Sequence, residues 1–81
     1  MITVYVLKSV KSDIFYTGMT KDLENRIMEH NSGKSKFTSG HVPWLVIYTE
    51  EHGDWNEARV REKYLKSTSG KRWLMKKLME E

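Results

Sequence analysis

Five side chains in this chain could act together chemically if the fold brings them into one place. Tyr5 and Tyr16 lie eleven positions apart in two short strand-like runs. Arg26 and His30 follow, four positions apart, and Glu62 lies in a later helical segment. Together they offer hydroxyls, a fixed cation, an imidazole and a carboxylate, which are groups that proteins use to transfer protons and to stabilise negative charge. Whether they meet depends on the elements that carry them.

The two tyrosine-bearing runs predict a β-hairpin. Residues 2–7 are apolar on both faces, residues 14–17 resemble them, and the segment between is polar. If the turn is centred near Val10 and Lys11, Tyr5 and Tyr16 face each other on one side of the sheet. Taken alone, the two rings are most simply packing residues. Gly18 is most simply a turn glycine, or it lets a backbone or a ligand come close to the hairpin.

A first helix is predicted over residues 21–31. Thr20 is a plausible N-cap, and the run Asn31-Ser32-Gly33 is typical of a helix end. Leu23 and Ile27 form its apolar stripe, and Arg26 and His30 share the flank beside that stripe. A lone arginine on a helix is usually solvated, and a lone histidine is more often a satisfied boundary residue than a catalyst.

The rest of the chain predicts one more strand and two more helices. Residues 33–43 are rich in Gly, Ser and Lys and suggest a mobile surface loop, and residues 44–49 suggest a third, central strand. Asp54 would cap a helix that runs to about Lys66, and residues 67–70 would separate it from a basic helix over residues 71–79. The order β-β-α-β-α-α predicts an α+β fold, a small mostly antiparallel sheet flanked by three helices, in one domain over residues 1–81.

The second helix carries an unusual carboxylate. Steps of 100° per residue place Trp55, Ala58 and Leu65 on one stripe with Glu62 in the middle of it. Burying an unpaired charge is unfavourable, so Glu62 must be paired, protonated, exposed at a cleft or bound to a metal. The simplest of these alternatives is an ion pair with an arginine of the first helix.

Composition excludes several classes of site. The chain has no cysteine, which rules out disulfides, thiolate zinc sites and a cysteine nucleophile. No segment has the run of apolar residues that a membrane span needs, and the brief apolar start has no basic lead, so we expect a cytoplasmic protein. The net charge is +3, but eight of the fourteen basic residues fall between Arg59 and Lys77, where Glu62 is the only acid. Such an end suits phosphate-rich partners, or is a solvated, lysine-rich helix surface.

The order and spacing of five motifs resemble those of the GIY-YIG nucleases, and the whole chain looks like one of their small stand-alone members. The motifs are Thr3-Val4-Tyr5, Tyr16-Thr17-Gly18, Arg26, His30-Asn31 and Glu62. The resemblance implies a three-stranded sheet flanked by helices. It also implies metal-dependent hydrolysis of DNA phosphodiester bonds, acting on branched, damaged or single-stranded DNA in repair or recombination.

The resemblance also implies a role for each residue. Tyr5 would activate or orient the attacking water, and Tyr16 would line the same cleft. Arg26 would stabilise charge on the phosphoryl oxygens, and His30 could assist proton transfer. Glu62 would hold one Mg²⁺ or Mn²⁺, because a hard cation can be held by one carboxylate with waters and substrate phosphate.

Some positions depart from the family pattern, and they keep other functions open. Thr3 and Thr17 replace a glycine and an isoleucine, Met19 replaces a lysine of repair-type members, and no asparagine follows Glu62. One alternative is a noncatalytic nucleic-acid-binding domain with the nuclease fold. Another is a subunit that docks a protein partner, or a homodimer. The basic residues expected to contact DNA phosphates are Lys34, Lys36, Lys63, Lys66, Lys71 and Arg72.

Overall fold

The strand β1 (Ile2–Ser9) is the central strand of a three-stranded antiparallel sheet. The structure is a computed structural model and describes residues 1–80. Strand β1 is flanked by β2 (Phe15–Thr20) and β3 (Trp44–His52). Because β1 is apolar on both faces, it can be covered on both sides, as a central strand requires. The prediction that the third strand is central is wrong: β3 is an edge strand, and its Leu45 is 58% exposed.

Three helices complete the predicted α+β fold. They are α1 (Leu23–Asn31), α2 (Trp55–Lys66) and α3 (Thr68–Met79). Within residues 1–80, none of these helices combines the length and the apolar character that a bilayer span requires. The predicted order β-β-α-β-α-α is confirmed, and the new feature is a short 3-10 helix, Thr38–His41, before β3.

Capping side chains explain where the helix starts differ from prediction. Helix α1 begins later than expected because Asp22, and not Thr20, is its N-cap and accepts a hydrogen bond from the Asn25 N–H at 3.2 Å. Helix α2 begins after Asp54, as predicted. Helix α3 begins earlier than expected because Ser67 accepts from the Gly70 N–H at 3.1 Å, so the predicted four-residue break shrinks to this one residue.

Because side chains alternate along β1, buried residues of this strand lie on both sides of the sheet. Even-numbered positions such as Val4 and Val6 pack with the buried residues Ala58 and Leu65 of α2 and with Leu74 of α3. Odd-numbered positions, Tyr5 and Leu7, pack with Trp44 and with the apolar stripe of α1. The sheet therefore separates the core cluster built on Val4 and Val6 from the cluster that contains Tyr5 and Tyr16.

The hairpin register differs from prediction by a small shift. Tyr5 lies opposite Gly18 and Leu7 lies opposite Tyr16, so the two tyrosines are diagonal neighbours on one face and not a directly opposed pair. The buried Ser9 hydroxyl causes the shift, because its oxygen accepts the backbone N–H groups of Lys11 and Ser12 at 3.2 and 3.1 Å. The turn is therefore centred between those two residues.

The segment expected to be a mobile loop is bonded to the fold at several points. The Trp44 indole N–H donates to the Thr38 carbonyl oxygen at 2.9 Å, and the Ser9 hydroxyl donates to the His41 carbonyl oxygen at 2.7 Å. The Val10 N–H donates to the Pro43 carbonyl oxygen at 2.9 Å. Composition alone suggested mobility, but these bonds satisfy buried polar groups and fix the segment against the hairpin.

Replacing Gly70 with alanine (Gly70→Ala) should destabilise the protein. Gly70 is buried where α3 meets α2, and an added Cβ would overlap the Tyr64 carbonyl oxygen and lie 2.8 Å from the Leu65 Cα. Alanine favours a helix over glycine by about 1 kcal/mol, but overlap with backbone atoms outweighs that gain, so we expect a net loss of about 1–3 kcal/mol. Urea unfolding would measure it. The exposed neighbour Ser69→Ala should change stability little, and equal stability of the two variants would contradict the prediction.

Candidate functional site

The absence of a side chain at Gly18 makes room for the hydroxyl of Tyr5. The two tyrosine rings lie 6.4 Å apart, and Tyr5 crosses over Gly18 on the neighbouring strand. A Cβ at Gly18 would be 2.7 Å from the Tyr5 Cζ and 3.1 Å from the Tyr16 Cε2. Gly18 lies within β2, so it is not a turn glycine. It admits a buried side chain to the site.

His30 holds the hydroxyl of Tyr5 in place. The imidazole is fully buried at the end of α1, with Nε2 2.9 Å from the Tyr5 hydroxyl and Nδ1 3.0 Å from Thr38 Oγ1. Thr38 Oγ1 donates to the Ser35 carbonyl oxygen, which favours Nδ1 as the protonated nitrogen of His30. In that tautomer Nε2 accepts a hydrogen bond from the Tyr5 hydroxyl.

Burial keeps both members of this pair neutral. It raises the pKa of the Tyr5 hydroxyl, and the nearby Arg26 guanidinium acts in the opposite direction. Burial also lowers the pKa of His30, the Arg26 cation lowers it further, and the Glu29 carboxylate opposes them. At neutral pH the pair is therefore a phenol and an uncharged imidazole, a state in which the imidazole can accept a proton.

Arg26 is a fixed cation beside that pair. Its Nη1 donates to Glu29 Oε1 at 3.0 Å, and the side chain is partly exposed. Hydrogen bonding to Glu29 raises the pKa of Arg26 most, and the Tyr5 hydroxyl raises it further. The guanidinium thus lies between a carboxylate and the Tyr5 hydroxyl, with part of its surface open to a ligand.

Glu62, on α2, acts electrostatically on Tyr5 of the same pair. Its negative charge contributes to the raised pKa of Tyr5, and its side chain is only 17% exposed. Its ion-pair partner among residues 1–80 is Lys66, with Nζ 3.5 Å from Oε2, so the predicted pairing with an arginine of the first helix is wrong. The carboxylate is therefore tied to a flexible lysine and not sealed against Arg26.

The donor set suits a hard divalent cation held by few protein ligands. In the described part of the chain no three His, Cys, Asp or Glu side chains come close enough to form a metal cage. Mg²⁺ and Mn²⁺ are often bound through one or two carboxylates, with water and substrate phosphate as the other ligands. Glu62 beside the Tyr5 hydroxyl fits that kind of site.

A cavity of about 290 Å³ opens beside Tyr16. Of the basic residues predicted to contact DNA, Lys66 and Lys71 line it, and Lys34, Lys36, Lys63 and Arg72 are exposed but do not line it. The residues that line the cavity are Phe15, Tyr16, Thr17, Phe37, Lys66 and Lys71. The structure therefore brings two of the six predicted basic residues to the edge of the site.

Two residues of this region were missed by the sequence analysis. Thr38 is buried and orients the imidazole of His30, and Phe37 is exposed at the cavity. Both lie at the start of the short 3-10 helix, which is too short for a periodic pattern to predict which side chains point inward. The only available signal was an aromatic residue, Phe37, in a stretch otherwise rich in Gly, Ser and Lys.

Comparison with known proteins identifies the family of this chain. The family model described as the GIY-YIG catalytic domain matches residues 1–77. A UPF0213 protein of Clostridium perfringens is 44% identical over 64 residues, covering 78% of this chain and 68% of that protein. A UPF0213 protein of Staphylococcus haemolyticus is 38% identical over 79 residues, covering 96% and 93%.

A solved structure supports the same assignment. The solution NMR structure of a UPF0213 protein from Bacillus halodurans has a TM-score of 0.56 and 34% sequence identity, covering 94% of this chain and 84% of that one. The family model spans the whole sheet, α1, α2 and most of α3. This chain belongs to the GIY-YIG family.

Proposed function

We propose that this protein is a metal-dependent endonuclease that hydrolyses DNA phosphodiester bonds. The observation that supports it most is the buried hydrogen bond between Tyr5 and His30, with the Arg26 cation beside it and with the charge of Glu62 acting on Tyr5. Three of these four side chains come from β1 and α1, and Glu62 comes from α2. Purely structural packing does not require a buried phenol, an imidazole, a cation and a carboxylate at one point.

Proton transfer would run through the buried pair. The Tyr5 hydroxyl would orient the attacking water and take its proton, while the proton of Tyr5 passes to His30 Nε2 at 2.9 Å. Thr38 would keep the imidazole in the tautomer that can accept this proton. His30 would therefore act through Tyr5 and not on the substrate directly, because its two ring nitrogens are bonded to Tyr5 and to Thr38.

Two groups would stabilise the negative charge on the phosphate. Arg26 would donate to the phosphoryl oxygens through the exposed part of its guanidinium, which stays charged at every working pH. Glu62 would hold one Mg²⁺ or Mn²⁺, which when bound supplies a Lewis acid for the phosphate and the leaving oxygen.

The expected substrates are branched, damaged or single-stranded DNA, in repair or recombination. The family domain spans residues 1–77. A site on one small domain can contact few bases, so recognition of DNA structure is favoured over recognition of a long sequence. We also expect the protein to act in the cytoplasm.

Removing either charged side chain should abolish cleavage. Purified protein with Mg²⁺ or Mn²⁺ should cut such substrates, and Arg26→Ala and Glu62→Ala should each lower the rate by about 100-fold or more, because each removes charge stabilisation in the transition state. Gel assays of labelled single-stranded, flap and duplex DNA would measure this. The exposed Arg59→Ala is the matched control and should cleave normally. Cleavage by Glu62→Ala at the wild-type rate would show that the activity does not come from this site.

A noncatalytic DNA-binding domain is the second candidate, and the ion pair between Glu62 and Lys66 favours it, because this carboxylate already has a cationic partner. That candidate predicts DNA binding that weakens steeply with salt and survives Glu62→Ala, with no cleavage by the wild type. Binding titrations at several salt concentrations, run beside the cleavage assay, would separate the two candidates.

A further inference from the structure

The cavity beside Tyr16 has the composition of a binding site for a nucleobase. We propose that it binds one unpaired base of single-stranded DNA, next to the phosphodiester bond at the site, by stacking that base on Phe37. The proposal rests on the proposed function for the identity of the polymer and adds a substrate class and a residue that recognises it.

An aromatic ring that is exposed at the cavity supports this proposal. Phe37 is 56% exposed, and its ring lies 6.0 Å from that of Tyr16, tilted by 32°. Phe15, also exposed, lines the same cavity. Flat apolar rings on an otherwise polar surface are the platforms on which proteins stack the bases of single strands.

The ring of Phe37 is held in position by the residues around it. Its neighbour Thr38 is buried and bonded to His30 Nδ1 at 3.0 Å, and the Thr38 carbonyl oxygen accepts the Trp44 indole N–H. The ring of Phe37 also lies 5.7 Å from that of His41, tilted by 45°. A platform fixed before binding loses little conformational entropy when a base stacks on it.

The charges around the cavity suit a phosphate backbone. Lys66 and Lys71 line it, and none of the residues that line it is acidic. Lys36 directly precedes Phe37 in the sequence and is exposed. The cavity therefore offers an apolar ring for a base and ammonium groups for the phosphates on either side of it, which is the combination found in single-strand binding proteins.

The position of the cavity favours an unpaired base over a paired one. Tyr16 is shared between the cavity and the site around Tyr5, so a base on Phe37 belongs to a nucleotide beside the bond at that site. In a duplex that base would have to leave its stack and its partner, which costs free energy that a single strand does not spend. Single strands and unpaired flaps are therefore the preferred substrates.

Binding without cleavage tests the proposal directly. Fluorescence anisotropy with labelled oligothymidylate in EDTA should show about 10-fold weaker binding for Phe37→Ala, in the range expected for the loss of one stacked base. Phe37→Trp should restore wild-type affinity, because the larger ring also stacks. Leu45→Ala, at another exposed apolar residue on β3, is the matched control and should bind as the wild type does.

An abasic strand separates stacking from contacts with the backbone. Phe37→Ala should bind an abasic oligonucleotide as well as the wild type does, since no base is present to stack. Equal affinity of wild type and Phe37→Ala for oligothymidylate, or an equal loss on the abasic strand, would overturn the proposal. Binding that depends on Phe37 without any cleavage would reject the nuclease function and keep the base site. DNA cleavage together with binding that does not depend on Phe37 would keep the nuclease function and reject the base site.

Discussion

Replacing Gly18 with alanine (Gly18→Ala) should lower DNA cleavage by about 100-fold or more, since a displacement of about 1 Å at a catalytic group can have that effect. The new Cβ would lie 2.7 Å from the Tyr5 Cζ, closer than carbon atoms approach without a shift. Tyr5 is buried and packed against Leu7 and Trp44, so its ring cannot simply turn away. Moving it breaks the 2.9 Å bond to His30, on which proton transfer would depend.

The chain provides a matched control for this variant. Nothing lies within 4 Å of a Cβ added to Gly53, so Gly53→Ala should cleave DNA as the wild type does. Gly18→Ala should also lose about 1–3 kcal/mol of stability, as overpacked cores do. The assay is therefore run at a temperature where circular dichroism shows both variants folded. A folded Gly18→Ala protein with normal cleavage would mean that the Tyr5 hydroxyl is not used.

Removing the guanidinium of Arg61 should cost about 2–3 kcal/mol of folding free energy, because it leaves a largely buried carboxylate with fewer partners. That carboxylate belongs to Glu50 on β3, which is 16% exposed. Arg61 donates to it through Nε at 2.8 Å and Nη2 at 3.0 Å, and its guanidinium carbon lies 4.9 Å from the centre of the Trp73 ring. The loss is large for a domain whose total stability is about 5–15 kcal/mol.

The effect of Arg61→Ala should depend on pH in a defined direction. Burial alone would raise the pKa of Glu50, but hydrogen bonds from Arg61, Tyr48 and His52 outweigh it and lower the pKa from 4.5 to about 2. A carboxyl whose pKa is lower in the folded state stabilises the fold above its unfolded pKa, near 4.5, and loses that contribution as the pH falls towards 2. The gap between the two values corresponds to up to about 3 kcal/mol.

Urea unfolding between pH 7 and pH 3 would measure this dependence. The difference in unfolding free energy between wild type and Arg61→Ala should be full at pH 7 and should narrow below pH 4.5, as Glu50 becomes protonated. Arg59→Ala, two residues earlier on the same helix and exposed, should show little change at any pH. A difference that stays constant down to pH 3 would assign the stabilisation to packing of Arg61 against Trp73 and not to the ion pair.

Much of the fold is encoded in local patterns. The apolar runs predicted the three strands. Asp54 predicted the start of α2, and the run Asn31-Ser32-Gly33 predicted the end of α1, and the structure confirms both. The family assignment could be predicted because motifs separated along the chain occur in the right order and spacing. These signals depend on short-range chemistry, which a single sequence contains.

Other features depend on tertiary contacts that no local pattern encodes. The central position of β1 could not be told from that of β3, since both begin as apolar runs and only pairing decides which one is covered on both sides. The partner of Glu62 proved to be Lys66 on its own helix, because the stripe fixes the direction of a side chain but not what it meets. Thr38 could not be connected with His30 across an irregular segment. The catalytic and DNA-binding roles themselves stay predictions.

The alternation of side chains along β1 makes stability and activity separable by mutation. Positions such as Val4 and Val6 support the apolar layer, while Tyr5 lies between them and faces the site. In a saturation scan of this strand, we therefore expect substitutions at Val4 and Val6 to lose activity by destabilising the fold, so that a lower temperature restores it. Substitutions at Tyr5 should lose activity at every temperature. The same alternation would let an engineer raise thermal stability at Val4 or Val6 without changing the candidate site around Tyr5.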